Sequence, residues 1–450
     1  MRKYRKWTVG PGMDERGETE AVGSPPGAVL PPGPVPGAEV ESRPGHPRPG
    51  FRSVLANRRY LLFEASVITA TTGYSVYAVS IPWLAFENSG SLLVVGLVLF
   101  VELGVYALTF LVAPLVDRIA DKRTILVVGF PVQAVAAVIL AVAAARGELQ
   151  LPLLLGLVGV LAVVWDFEWA VFQVAPRLLL TKDELFAAGG ISSAFGGGAT
   201  IGGYAAGAGF ILLAGPATSG YLYAGLLLAA VGLASVVPLR GPRSEERSYL
   251  GGFREGWAYL TSAEGRPLLQ LGVLDAVVGF FSTAPPVLVT VFADRSFPDP
   301  GLAYGILFTS FVIGGVAVDL TLGYFNPRRR VGLVLVGGLL GGAVALALVG
   351  HAPPSLVGTA AVWVLAGGAL GAYSSGKVTF EWGFIPRDRL ARVTSNLYTF
   401  PGVSGAVGAV VLGFLASRLS GLAVAEIVAG VLGAAVVLAV ALPAVRRFSF

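Results

Sequence analysis

Charged residues fall into a few clusters along this chain, and apolar runs of twenty residues or more lie between them. A helix rises about 1.5 Å per residue, so each run is long enough to cross a hydrocarbon core of ~30 Å. Twelve runs read as membrane spans, at 60–84, 91–116, 124–145, 151–175, 190–214, 219–239, 268–292, 302–325, 331–350, 355–380, 395–416 and 421–443. Residues 1–50 contain GSPPGAVLPPGPVPG and lack both periodicity and an apolar core, so they read as a disordered tail. The pattern therefore predicts an all-α membrane protein of twelve transmembrane helices.

The longest interruption between spans, 240–267, lies halfway along. Within it Leu250, Phe253, Trp257 and Leu260 recur at helical spacing, with Arg254 and Glu255 on the other side. This is a short amphipathic helix at the membrane surface, joining two halves. The halves echo each other. RRYLLFEASV at 58–67 aligns with GRPLLQLGVL at 265–274, and TKDELFAAGGISS at 181–193 aligns with PRDRLARVTSNLY at 386–398, at offsets of 207 and 205. The expected organisation is a tail (1–50), a six-helix bundle (51–239), a linker (240–267) and a second, pseudo-symmetric six-helix bundle (268–450). Such repeats place a substrate site near the midplane, between bundles that rock to alternate access.

Composition narrows the class. Of the 450 residues 55% are hydrophobic and 13% charged, about half the usual soluble fraction. Cysteine is absent, and the two histidines, His46 and His351, fall in the tail and a loop. No disulfide, thiolate nucleophile or metal centre is expected, and no cofactor. The net charge of +5 does not point to nucleic acid, because the basic residues flank the spans. With the tail inside, 28 Lys and Arg lie on the inner side and only Arg146, Arg295 and Arg418 outside. This asymmetry predicts both termini in the cytoplasm and a multi-pass protein of the inner cell membrane.

The segment after span 2, APLVDRIADKR at 113–123, resembles the loop motif of the major facilitator superfamily. Asp117, Arg118 and Lys122 match it, whereas Ala113 and Ala120 stand where glycines are common and Asp121 is unusual. The resemblance implies a conformational-switch loop that holds helix ends together in one state through charge pairs and helix dipoles. NRRYLLFEASV, IPWLAFENSGS, TKDEL and GFREGWAYLTSAEGRPLL are similar to the subgroup of siderophore and macrolide exporters. The likeness covers about 51–450. Span 5, GGGATIGGYAAGAG, resembles a Gly-rich antiporter motif but has Gly203 where proline is usual. The resemblance makes spans 1, 4, 7 and 10 the cavity lining.

A charge inside a span is costly and marks a functional candidate. Glu102 lies near the middle of span 2, with Tyr106 and Thr109 on its face. Asp166 shares a face of span 4 with Trp169 and Gln173, whereas Glu168 points about 200° away. Asp275 in span 7 shares a face with Gly279 and Ser282. These three acids look unpaired and are the candidates for transport and proton coupling; a packing role in a helix contact is the alternative. Lys377 and Glu381, one turn apart, read as a local pair that snorkels to the surface. Glu64 and Glu426 read as interface residues, and Asp319 as a proton site or a partner of loop arginines. Ser66, Thr69, Gly73, Tyr77 and Ser80 stripe span 1, either as a cavity face or as a helix contact.

The expected function is secondary transport by alternating access, as proton-coupled efflux of an amphipathic or hydrophobic small molecule. A lysophospholipid transporter, or an importer of a nutrient or anion, is the alternative. The partners are a substrate, a coupling proton or other ion, and the lipid bilayer. The chain is expected to act as a monomer without nucleic acid. No GxxxxGK[ST] loop or HExxH pair suggests an enzyme.

Overall fold

The computed structural model describes residues 51–181, 184–241, 249–281, 284–325, 331–351, 355–385 and 390–442. Sixteen helices account for the architecture. They are α1 (Phe51–Ala56), α2 (Arg58–Ser89), α3 (Leu92–Tyr106), α4 (Thr109–Arg118), α5 (Arg123–Ala145), α6 (Leu151–Leu179), α7 (Leu185–Ala214), α8 (Pro216–Ser235), α9 (Tyr249–Thr261), α10 (Arg266–Phe280), α11 (Ala284–Ser296), α12 (Pro300–Phe325), α13 (Val331–Val349), α14 (Leu356–Phe384), α15 (Leu390–Arg418) and α16 (Gly421–Ala441). Span 2 is built from α3 and α4, span 7 from α10 and α11, and the other ten spans from one helix each. The protein is an all-α, twelve-span membrane protein of two pseudo-symmetric bundles.

Eleven spans are long and apolar enough to be read as crossing a bilayer. The twelfth, α2, carries Ser, Thr and Tyr along its length, and its Asn57 cap accepts a hydrogen bond from the Tyr60 amide at 3.1 Å. Those hydroxyls are tied into the bundle. Ser66 donates to the Ala230 carbonyl at 2.8 Å, Thr69 to Ala65 at 2.7 Å and Ser80 to Val76 at 2.7 Å. A side chain at Gly73 would collide with Tyr223 at 2.9 Å, and Tyr77 packs on Tyr223 at 5.4 Å between ring centroids. The span 1 stripe thus faces α8, because small residues let the helices approach closely.

The same five pairings build each half. Span 1 packs with spans 5 and 6, span 3 with spans 4 and 6, and span 2 with span 4; their counterparts are 7 with 11 and 12, 9 with 10 and 12, and 8 with 10. The halves meet through α3 with α15 and through α7 with α12. Glycines set these seams. A Cβ at Gly96 would lie 2.4 Å from the Ala409 carbonyl oxygen, and one at Gly305 would lie 2.6 Å from the Ala208 Cβ. Span 2 breaks where α15 comes near, since a Cβ at Gly402 would sit 2.7 Å from the Ala107 Cα. At the end away from the described termini Trp83 of the first half stacks on Tyr304 of the second at 5.1 Å.

Helix α9 lies across the seam. Phe253 packs on Phe110 of α4 at 4.9 Å and Trp257 on Phe400 of α15 at 5.6 Å, while Arg254 and Glu255 are exposed. Asn396 donates to the Phe253 carbonyl at 2.9 Å. Its apolar stripe therefore covers helix ends of both halves. At the start of α7, the Thr181 amide and hydroxyl donate to Glu184 at 3.0 and 2.9 Å, and these bonds hold the Glu184 carboxyl below its ordinary range.

Candidate functional site

The buried ionic centre lies in the second half, between α10 and α14. Lys377 reaches Asp275 at 2.5 Å and Glu381 at 3.8 Å. Tyr373 donates to the other Asp275 oxygen at 3.1 Å. Asp275 and Glu381 are 5% and 2% exposed, and the Lys377 side chain 13%. This differs from the sequence expectation twice. Asp275 is paired, by a residue 102 positions away, and Lys377 does not snorkel. An ammonium between two buried carboxylates is held there by Coulomb attraction at low dielectric. The Lys377 nitrogen also lies 5.2 Å from the centre of the Tyr398 ring.

Tyr398 stacks on Tyr106 across the seam, at 6.0 Å. Tyr106 is within electrostatic reach of Asp275 and Glu381 on one side and of Asp166 on the other. Asp166, on α6, accepts a hydrogen bond from Thr109 at 2.9 Å and is 5% exposed. The break between α3 and α4 sets Thr109 at the start of a new helix, where its hydroxyl reaches both Asp166 and the Tyr106 carbonyl at 2.7 Å. Asp166, Tyr106, Thr109 and Asp275 are thus drawn to one region.

Glu102 stands among tyrosines. Tyr74 and Tyr77 of α2, Tyr204 of α7 and Tyr304 of α12 are all in its electrostatic range. The Tyr77 hydroxyl faces it without a completed hydrogen bond, and the Tyr304 hydroxyl is also buried without a partner among the described residues. Tyr74 stacks on Trp165 at 4.0 Å. Glu168 behaves differently: fully buried against Gly129 of α5, it has no hydrogen-bond partner for either oxygen among the described residues.

Other expected site residues lie elsewhere. Thr69 is bonded to its own helix, and Trp169 and Gln173 line a separate cavity with Glu64. Glu64, near the start of α2, is 4% exposed. Glu426 is exposed. Asp319 accepts from Ser375 at 2.5 Å. Ser282, Arg328, Arg329, Arg330 and the Asp117 side chain lie outside the described residues.

In the loop after span 2, Lys122 is 3% exposed and donates to the Ile119 and Val116 carbonyls at 3.2 and 3.4 Å, which caps the end of α4. Asp121, which the sequence marked as unusual, pairs with Arg123 at 3.4 Å and Arg240 at 3.9 Å. The Lys122 amide donates to Leu239 and the Gly241 amide to Ala120, so the loop is stitched to the chain leaving span 6. Arg118 is exposed. Sequence reasoning missed this pairing because its two strands are over a hundred residues apart.

Neither a family model nor a curated protein matches this sequence. Solved structures do. The nucleoside transporter NupG is similar at a TM-score of 0.66 and 13% identity, over 87% of this chain and 100% of that one. A bacterial homologue of the iron transporter ferroportin, in its inward-facing state, is similar at a TM-score of 0.61 and 16% identity, over 85% and 97%. The human organic anion transporter MFSD10 is similar at 0.61 and 13%, over 86% and 99%. This chain shares the fold of these solved transporters.

Proposed function

We propose that this chain is a secondary transporter that exports an amphipathic or hydrophobic small molecule in exchange for protons, with both termini cytoplasmic. One observation carries the reading. Asp166 accepts from the Thr109 hydroxyl and Glu102 is faced by the Tyr77 hydroxyl, with no ion pair on either among the described residues, whereas Asp275 and Glu381, on the far side of Tyr106 from Asp166, are compensated by Lys377. A carboxylate among hydroxyls can gain or lose a proton with little rearrangement. The fold shared with solved transporters supports alternating access between the two bundles. The excess of acids over cations disfavours an anionic substrate, so the importer of an anion is the weaker reading.

The test is efflux of neutral and cationic fluorescent dyes from proteoliposomes under an imposed pH gradient. The gradient should accelerate efflux of at least one dye, and Glu102→Gln should abolish that acceleration. Equal rates with and without the gradient would remove proton coupling.

A further inference from the structure

An acid-bearing cavity of about 430 Å³ lies between α2, α6 and α7. Its walls come from the first turns of α2 and α7 and the last turns of α6, so it sits at the end where those chain segments begin and finish. Phe63, Trp169 and Phe172 give it aromatic faces, and Glu64, Gln173 and Ser192 its polar groups. Phe172 packs edge-on against both Phe63 and Trp169, each at 6.4 Å, which fixes the three rings. Trp169 is 43% exposed, an unusual degree for a ring on a packed helix.

Glu64 is the unexplained member. It is nearly buried, the hydroxyls of Tyr60 and Ser192 adjoin it, and it makes no ion pair among the described residues. Tyr60 is itself anchored to Ser192 at 3.2 Å and to the Ala188 carbonyl at 3.3 Å. The carboxylate thus lies beside neutral hydroxyls, without a counter-charge among the described residues. An inorganic divalent cation would need six or more oxygen ligands, which aromatic walls do not supply. A cation with apolar substituents suits both features, because ring faces attract positive charge while burying apolar surface. The volume is that of a small organic ligand.

We propose that this cavity binds an organic cation with apolar substituents, its charge on Glu64 and its substituents against Trp169 and Phe172. The proposal rests on the transport reading and narrows its substrate class.

The experiment measures equilibrium binding of labelled tetraphenylphosphonium to the full chain in nanodiscs, at fixed pH and without a gradient. Glu64→Gln should weaken binding on the order of tenfold, and Trp169→Ala several-fold. Binding of neutral triphenylphosphine oxide should be unchanged in Glu64→Gln. Absence of saturable binding to the wild type, or wild-type affinity in a monodisperse Glu64→Gln, would overturn the proposal. If Glu64→Gln does not fold, Trp169→Ala decides, and full cation affinity in that variant has the same consequence. A pH gradient without effect on flux, with Glu64-dependent binding intact, would sink proton coupling and leave this site standing.

Discussion

The two halves share their helix pairings and treat buried acids in opposite ways. In the first half Glu64, Glu102 and Asp166 meet hydroxyls, and Glu168 meets nothing among the described residues. In the second half Asp275 and Glu381 hold a lysine between them. Neutralising both of its carboxylates would strand the ammonium, so Lys377 holds at least one of them ionised and that network keeps an ion pair in place. A carboxylate bound to hydroxyls tolerates either charge state. One scaffold thus provides a fixed ionic post and a set of exchangeable acids, and the first half is where protons and cations should come and go.

The largest effect should follow from Lys377→Met. It strands two buried carboxylates, and breaking a buried pair costs about 3–5 kcal/mol. Thermal unfolding in detergent should show this loss, with transport abolished. Neutralising the acids as well, in Lys377→Met/Asp275→Asn/Glu381→Gln, should restore most of the stability and none of the transport. Wild-type unfolding of the single variant would erase the contrast between the halves.

Glu102→Gln and Asp166→Asn come next. Each keeps its shape and its hydroxyl neighbours, so unfolding should move by about 1 kcal/mol or less. Gradient-driven efflux should nonetheless fall on the order of tenfold or more, about 1.4 kcal/mol in barrier terms. Loss of stability without loss of coupling would make these acids packing residues.

The spans could be read in the sequence because a bilayer demands unbroken apolar runs, and α2, though it carries several hydroxyls, still reads as one at 60–84. Individual acids were legible for the same reason, since a charge within such a run is conspicuous. Their partners were not. The helical period exposes neighbours one turn apart, so Lys377 was matched with Glu381, which lies 3.8 Å away, and not with Asp275 at 2.5 Å on another helix. The burial of Glu64 was not legible either, because nearness to a helix end says nothing of the helices packed around it. The stitch between Asp121 and Arg240 joins two loops, where no period operates.

Glu168 sharpens the comparison within the first half. It is buried beside the exchangeable acids, yet it touches Gly129 rather than a hydroxyl. An unsatisfied buried polar group costs about 1–3 kcal/mol. Glu168→Met, of similar length, should therefore raise unfolding stability by an amount in that range and leave efflux unchanged. A loss of gradient-driven efflux would instead add Glu168 to the exchangeable set.

A finer comparison comes from two hydroxyls that perform the same service in opposite halves. Thr109 donates to Asp166 at 2.9 Å, and Asp166 is buried. Ser375 donates to Asp319 at 2.5 Å, and Asp319 is exposed. The second carboxyl is less enclosed than the first, so losing its donor strands it less. Thr109→Val should cost roughly 1–2 kcal/mol, and Ser375→Ala about 0.5 kcal/mol or less. The variants should also separate in kind. Thr109→Val removes the neutral group on which proton exchange at Asp166 depends, so the pH midpoint of efflux should shift, while Ser375→Ala should leave that midpoint in place. Equal midpoints in both variants would mean that the hydroxyl environment of Asp166 does not tune exchange, and the contrast drawn between the halves would then rest on Glu102 alone.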